Sequence, residues 1–396
     1  MAILLTPYQT ASIASGVYKL QTTTMGQLLE TLEPLGCEGL FEVGEQSRFK
    51  GSSGALGMKT ETGFGYFAAG KPNTPFADDL LIATRGTLGA KTGPDWFSNY
   101  NVGLQLGPGG LPVHAGFNEI WKTFRKQLQE FLQGRRPRRI HCVGHSLGGA
   151  LATLNADFIT AGHMADVSLY TFGAPRVGDA VFTRSLTKRL GAGHIQRVFH
   201  PSDPVPMIPL FPFWHMPFGE PGLQISSGLG GLLNADAHSM ENSYRTCMAQ
   251  FSNWGDLRSA VARRADEAAQ VKSWLEGAAQ GRGSFLMGSA SLLSMIGRAL
   301  GWLLKSTGKL MLNAVGASLV SQVTVLDHLA WALTTGARVY KEVADYLKTL
   351  IKAIWGYLGR KTVQVADVTM AFMRWVLELL FSSVRNLASR ALSFLG

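Results

Sequence analysis

Apolar and polar positions alternate in two rhythms along this chain, and the change falls near residue 250. Before it, short apolar, β-branched runs at 80–84, 140–143, 167–172 and 195–199 predict buried strands. Between them lie stretches of helical period. In 117–132, Ile120, Phe124, Leu128, Phe131 and Leu132 recur on one face, and 150–161 and 178–190 read as further helices. Segments 10–18 and 26–32 predict short helices, and the Gly-rich 51–75 predicts a hairpin with 65–69 as one strand. Strands and helices in this alternation imply an α/β fold, with a mostly parallel sheet covered by helices.

Beyond Phe251 the strand rhythm stops. Residues 256–280 predict a charged amphipathic connector helix, and from Ser284 the chain reads as helices rich in Leu, Val, Ala, Gly and Ser. In the last helix, Ala366, Met370, Met373, Leu377, Leu380, Val384, Leu387, Ala391 and Phe394 share a face. The expected organisation is therefore an α/β unit over 1–255, a connector over 256–283 and an all-α region over 284–396. Within the last, 284–304 carries only Arg298 and 310–333 includes Asn313, Asp327 and His328, which are costly at a bilayer centre. Basic amphipathic helices lying on an anionic lipid surface suit this composition better than permanent spans; a soluble bundle packed on itself and on the α/β unit is the other reading.

Composition sharpens this picture. With 46% apolar and 16% charged residues the chain can bury a full core, which excludes disorder. Net charge is +10, and 12 basic against 5 acidic residues between 284 and 396 place most of the excess in the helical region. The run Arg135-Arg136-Pro137-Arg138-Arg139 is the densest basic cluster and reads as a solvated turn, so nucleic acid is not an expected partner. Cys37, Cys142 and Cys247 are odd in number and far apart, unlike a disulfide framework or metal site. The first residues lack a basic segment and their apolar run is too short for a signal peptide. Synthesis in a reducing cytoplasm is expected, with any export by a non-classical route.

The chemistry concentrates in Gly144-His145-Ser146-Leu147-Gly148-Gly149. In a chain with 46 glycines G-x-S-x-G alone is weak, but here it follows a predicted strand and opens a predicted helix, the setting of a nucleophile elbow. A serine hydroxyl needs an imidazole to take its proton and a carboxylate to orient that imidazole. Asp203, in Ser202-Asp203-Pro204-Val205-Pro206 just past the 195–199 strand, fits the acid; Asp179 reads as a first-turn helix acid instead. His238, on a loop before a helix, fits the base. His215, among Phe213, Trp214, Met216 and Pro217, reads as part of a binding wall, and His328 lies in an apolar helix. Oxyanion donors are expected from the amide of Leu147 and from Thr87, in the loop after the 80–84 strand.

Taken together, Thr84-Arg85-Gly86-Thr87, Asp95-Trp96, Val113-His114-Ala115-Gly116-Phe117, the elbow, Thr171-Phe172-Gly173-Ala174-Pro175-Arg176-Val177-Gly178 and Ser202–Pro206 resemble the class 3 (fungal-type) lipase family over roughly 75–250. The resemblance implies an α/β-hydrolase fold, lipid ester hydrolysis without cofactor or metal, Ser146, Asp203 and His238 as triad, and Thr87 with Leu147 as oxyanion site. The family's lid position holds only the short, Gly-rich 88–94, whereas the aromatic, Pro-rich 205–232 suits an acyl-binding wall. Phospholipid acyl esters at a membrane are the expected substrate, as in lipase effectors delivered by type VI secretion. An inhibitory or delivery partner would be unknown. The alternatives are a soluble esterase or acyltransferase on small acyl groups, and a non-enzymatic membrane-active protein on a hydrolase fold.

Overall fold

The computed structural model describes residues 3–21, 27, 35–53, 60–86, 103–209, 212–220, 222–225, 235–261, 267–279, 290–306, 325–339, 341–360 and 368–393. Helix α1 (Pro7–Gly16) starts earlier than the apolar pattern predicts, because Thr6 and Gln9 form a reciprocal capping box with Pro7 in the first turn. Strands β1 (Phe41–Glu42), β2 (Arg48–Ser53), β3 (Thr60–Gly70) and β4 (Asp79–Thr84) follow. β2 and β3 pair antiparallel, so the expected hairpin is present. The helix expected over 26–32 and the segment 88–94 lie outside the described residues.

Next come β5 (Leu104–Leu106), β6 (Pro112–His114), α2 (Ala115–Leu132), β7 (Arg139–His145) and α3 (Leu147–Ala161). They are followed by β8 (Asp166–Phe172), β9 (Gly178–Asp179), α4 (Ala180–Leu190), β10 (Ile195–Phe199), β11 (Phe213–Trp214) and β12 (Leu223–Gln224). The main sheet runs β1-β3-β4-β7-β8-β10-β12, with β2 beside β3; β4 through β12 along this path are parallel, and β1 to β3 form an antiparallel margin. Gly178 and Asp179, expected to open a helix, instead form a strand, and Asp179 caps α4 by accepting from the amide of Phe182. With β5, β6 and β11 this strand makes a second small sheet.

The period of two divides the core. Ile82, Ile140, Cys142 and Leu169 pack on one side with α2, α3 and α4, while Leu81, Ala83, Val143, Tyr170 and Val198 pack on the other with α1. Helix α3 is buried from Leu147 to Thr160, as expected of a helix central to such a layer. Cys37, Cys142 and Cys247 are buried and form no disulfide with one another, and burial pushes the Cys37 thiol up to about 12.

The expected single helix over 256–280 is not continuous. Asn253 caps α5 (Trp254–Ala260), which stops where β-branched Val261 turns extended, and α6 (Glu267–Ala279) is a separate helix. With α7 (Ala290–Ser306), α8 (Val325–Val339), α9 (Lys341–Tyr357) and α10 (Met370–Ser393), α6 forms a helical bundle. The first core layer is continuous with the apolar interior of this bundle. Helix α10 packs against two loops of the α/β part, Val205–Met207 and Ala235–His238. Its buried stripe of Met373, Val376, Leu377, Leu380, Phe381 and Val384 is wider than the pattern implies, whereas Met370, at the helix start, is exposed. Among the described residues no helix is long and apolar enough to cross a membrane.

Candidate active site

Strand β7 delivers Ser146 to the carboxyl edge of the sheet. There the backbone takes φ 57° and ψ −132°, a conformation rare for a non-glycine residue, before α3 begins at Leu147. The amide of Ser146 is tied to the carbonyl of Phe172 at 2.9 Å, and the amide of Gly149 to the carbonyl of Ser146 at 2.9 Å. So tight a turn needs glycine beside it. A Cβ on Gly148 would overlap the carbonyl of Thr84, and one on Gly149 would come within 2.5 Å of Ala174 Cβ.

Asp203 stands past the end of β10, where its amide closes a turn onto the carbonyl of His200 at 3.1 Å. Its carboxylate is ringed by donors: the Val205 amide at 2.9 Å on Oδ1, with the Tyr244 hydroxyl at 2.6 Å and His238 Nδ1 at 2.8 Å on Oδ2. His238 ends the turn Ala235–His238, after which Ser239 caps the π-helical stretch Met240–Arg245. Its Nε2 lies 2.9 Å from Ser146 Oγ. The carboxylate oxygen only accepts, so Nδ1 carries the proton and Nε2 faces the hydroxyl as a free base. Ser146, Asp203 and His238 thus form one hydrogen-bonded chain, and none has any accessible surface. Gly173, at φ +54°, leaves room for the contact: a Cβ there would lie 2.8 Å from Asp203 Oδ2 and 3.0 Å from His238 Nδ1.

Three further side chains, not singled out by their sequence context, hold this chain in place. Tyr244 accepts from the amide of His200 at 3.2 Å while donating to Asp203, and burial pushes its phenol well above its ordinary value. His145 lies ring against ring with His238, centroids 4.5 Å apart, and its Nε2 donates to the His238 carbonyl at 2.8 Å. Its Nδ1 meets the Tyr18 hydroxyl at 2.8 Å. Burial keeps His145 neutral by pushing its pKa well below the ordinary value. Gly86 lies against the Tyr18 hydroxyl, where a Cβ would come within 2.3 Å of the Tyr18 oxygen, so the loop before Thr87 packs on the elbow and the histidine turn.

Leu147 opens α3 directly after the serine. Thr87 lies outside the described residues, adjacent to Gly86, whose Cβ position would be 2.9 Å from Ser146 Cβ. Among the other histidines, His215 follows β11 and receives a hydrogen bond from Arg176 Nε at 3.1 Å, and His328 lies on α8. Asp179 is the α4 cap, remote in role from the serine.

A serine at a strand–helix elbow, with an acid and then a histidine following in chain order at the carboxyl edge of a parallel sheet, defines an α/β-hydrolase of the serine type. Residues 81–213 match the family described as Lipase (class 3). It is 31% identical over 156 residues to secreted mono- and diacylglycerol lipase 1 of Fusarium solani, covering 38% of this chain and 44% of that protein. It is 34% identical over 102 residues to toxin TseL of Vibrio cholerae, covering 26% and 15%, and 29% identical over 155 residues to the chloroplastic phospholipase A(1) DAD1 of Arabidopsis thaliana, covering 33% and 34%. The chain spans less than half the length of these curated relatives. A solved structure, lipase II of Rhizopus niveus, is similar at a TM-score of 0.37 and 22% identity, over 55% of this chain and 79% of that one.

Proposed function

We propose that this protein hydrolyses carboxylic esters of lipids through an acyl-enzyme on Ser146, and that its substrates are phospholipid acyl esters at an anionic membrane surface. The hydrogen-bonded run Ser146–His238–Asp203, with spacings of 2.9 and 2.8 Å, carries the reading. His238 Nε2 takes the hydroxyl proton as Oγ attacks the ester carbonyl, and Asp203 holds the imidazolium that forms. The amides of Leu147 and Thr87 receive the oxyanion; His238 then returns its proton to the departing alcohol, and water repeats the sequence to release the fatty acid.

The phospholipid part draws support from the basic helical region and from the likeness to a protein named phospholipase A(1). Likeness to a named toxin supports hydrolysis directed at another cell's membrane, with delivery by a secretion route. The test is labelling with a fluorophosphonate, followed by rates on anionic phospholipid vesicles, triglyceride emulsion and a soluble short-chain ester. Ser146→Ala is expected to lose labelling and turnover, approaching the roughly 10⁶-fold loss known for removed nucleophiles. A Ser146→Ala protein that keeps its rate would overturn the assignment, and equal rates on all three substrates would remove the membrane part.

A further inference from the structure

The helical bundle contributes no residue to the triad. One end of it is built unlike a solvated surface. Trp375, one turn into α10, is 44% exposed, and Met370, at its start, is 43% exposed. Trp375 meets Trp355 of α9 edge-on at 5.4 Å between centroids, with Phe372 5.9 Å away. Arg360, just past α9, holds its guanidinium 5.7 Å from the Trp355 ring and 5.9 Å from the Trp375 ring. Arg374 ties this end to α8 through Asp327 at 2.9 Å, and Trp331, a turn further along α8, is 40% exposed. The Trp355 indole N–H is buried without an acceptor among the described residues.

Exposed tryptophans beside arginines, on amphipathic helices carrying excess positive charge, have the chemistry that seats a protein in the headgroup layer of an anionic bilayer. The same helix reaches the reacting groups. Helix α10 packs against Ala235–His238, which ends in His238, and against Val205–Met207, two residues past Asp203, while Ser146 has no accessible surface. We infer that the end of the bundle formed by Trp331, Arg360, Met370 and Trp375 is a docking surface for anionic lipid bilayers, and that docking acts through α10 on the turn Ala235–His238, which carries the base that faces Ser146. This rests on the hydrolytic reading above and adds where the membrane is met and how the meeting reaches the triad. The occupant is a bilayer rather than a protein because the surface pairs exposed indoles with basic side chains at helix ends, and the region's net charge is opposite to that of an anionic leaflet.

The experiment uses the full chain with vesicles of phosphatidylcholine, with and without phosphatidylglycerol. Cosedimentation gives binding, and the rate of fluorophosphonate labelling reports access to Ser146. The unaltered protein is expected to bind the anionic vesicles and to label faster in their presence. Trp375→Ser with Met370→Ser is expected to weaken that binding about tenfold and to abolish the acceleration. Both positions are exposed, so the basal labelling rate should stay within about twofold. Arg360→Gln is expected to lower binding to anionic vesicles while leaving the weaker binding to neutral ones unchanged. Undiminished binding by the double variant overturns the surface, and labelling of the unaltered protein that ignores vesicles overturns its link to the site. Binding that depends on Trp375 while Ser146 never labels upholds the surface and takes away the hydrolytic reading.

Discussion

Tyr18 touches no reacting atom, yet its hydroxyl bonds His145, and His145 in turn holds the carbonyl of His238. Its effect on turnover should therefore run through position alone. Tyr18→Phe removes one hydrogen bond of about 1 kcal/mol, so kcat is expected to fall roughly fivefold with KM unchanged. Tyr244→Phe takes a donor from the carboxylate of Asp203, a stronger bond of about 1.5–3 kcal/mol, and should cost kcat more and alter its pH profile. Steady-state kinetics beside thermal melts check both; a rise in KM at constant kcat would place these phenols against substrate instead. Ser146, Asp203 and His238 were legible because each sits in a local pattern: an elbow motif, a Pro-stiffened loop past a strand, a loop before a helix. Tyr18, His145 and Tyr244 were not, since what they do depends on contacts between segments 93 to 127 residues apart or on a carboxylate reached only in space.

At the level of elements, the elbow works because α3 crosses β4 at backbone contact. A Cβ at Gly148 has nowhere to go except into Thr84, whose hydroxyl already donates to the Gly148 carbonyl at 2.7 Å. Gly148→Ala is expected to cost about 1–3 kcal/mol of stability, as overpacking does, and to reduce Ser146 labelling in the folded protein by moving the helix start. Denaturant titration with labelling at native conditions measures both, and a variant of unchanged stability would show that α3 has slack. The long strands and α2 were legible from period alone, because each has one consistently apolar face or is apolar throughout. The strands β5, β6, β9 and β11 were not, being two or three residues each, too short for any period to register. Gly178 and Asp179 show the cost: an acid before a helical stretch reads as first-turn helix, when the pair extends as a strand and only then caps α4. In α10 the pattern located the helix but misplaced Met370 on the buried face, because periodicity cannot tell where the neighbouring helices end.

For the molecule as a whole, folding has buried several imidazoles that stay neutral. Burial lowers the pKa of His114 to about 4 and pushes those of His141, His145 and His200 below the ordinary value. His114 also needs its neutral form, since Nδ1 accepts the Gly116 amide at 3.1 Å to cap α2. In the unfolded chain each histidine takes a proton near pH 6.5, so between that pH and the lower folded value the unfolded state binds protons the fold refuses. Stability present at neutral pH is therefore lost as pH falls from about 6.5 toward 4, by up to about 3 kcal/mol for His114 alone. Asp79, held below its usual range by hydrogen bonds from His141 and Arg138 that outweigh its burial, adds a loss only at more acid pH. The net charge of +10 works in the same direction, because each further proton increases self-repulsion. Melting temperatures from pH 8 to 4 should fall steeply below 6.5, and His114→Asn, which keeps a capping oxygen without a titrating ring, should flatten that slope. Equal acid sensitivity in the two proteins would move the cause away from the α2 cap and leave it with the other buried imidazoles, His141, His145 and His200.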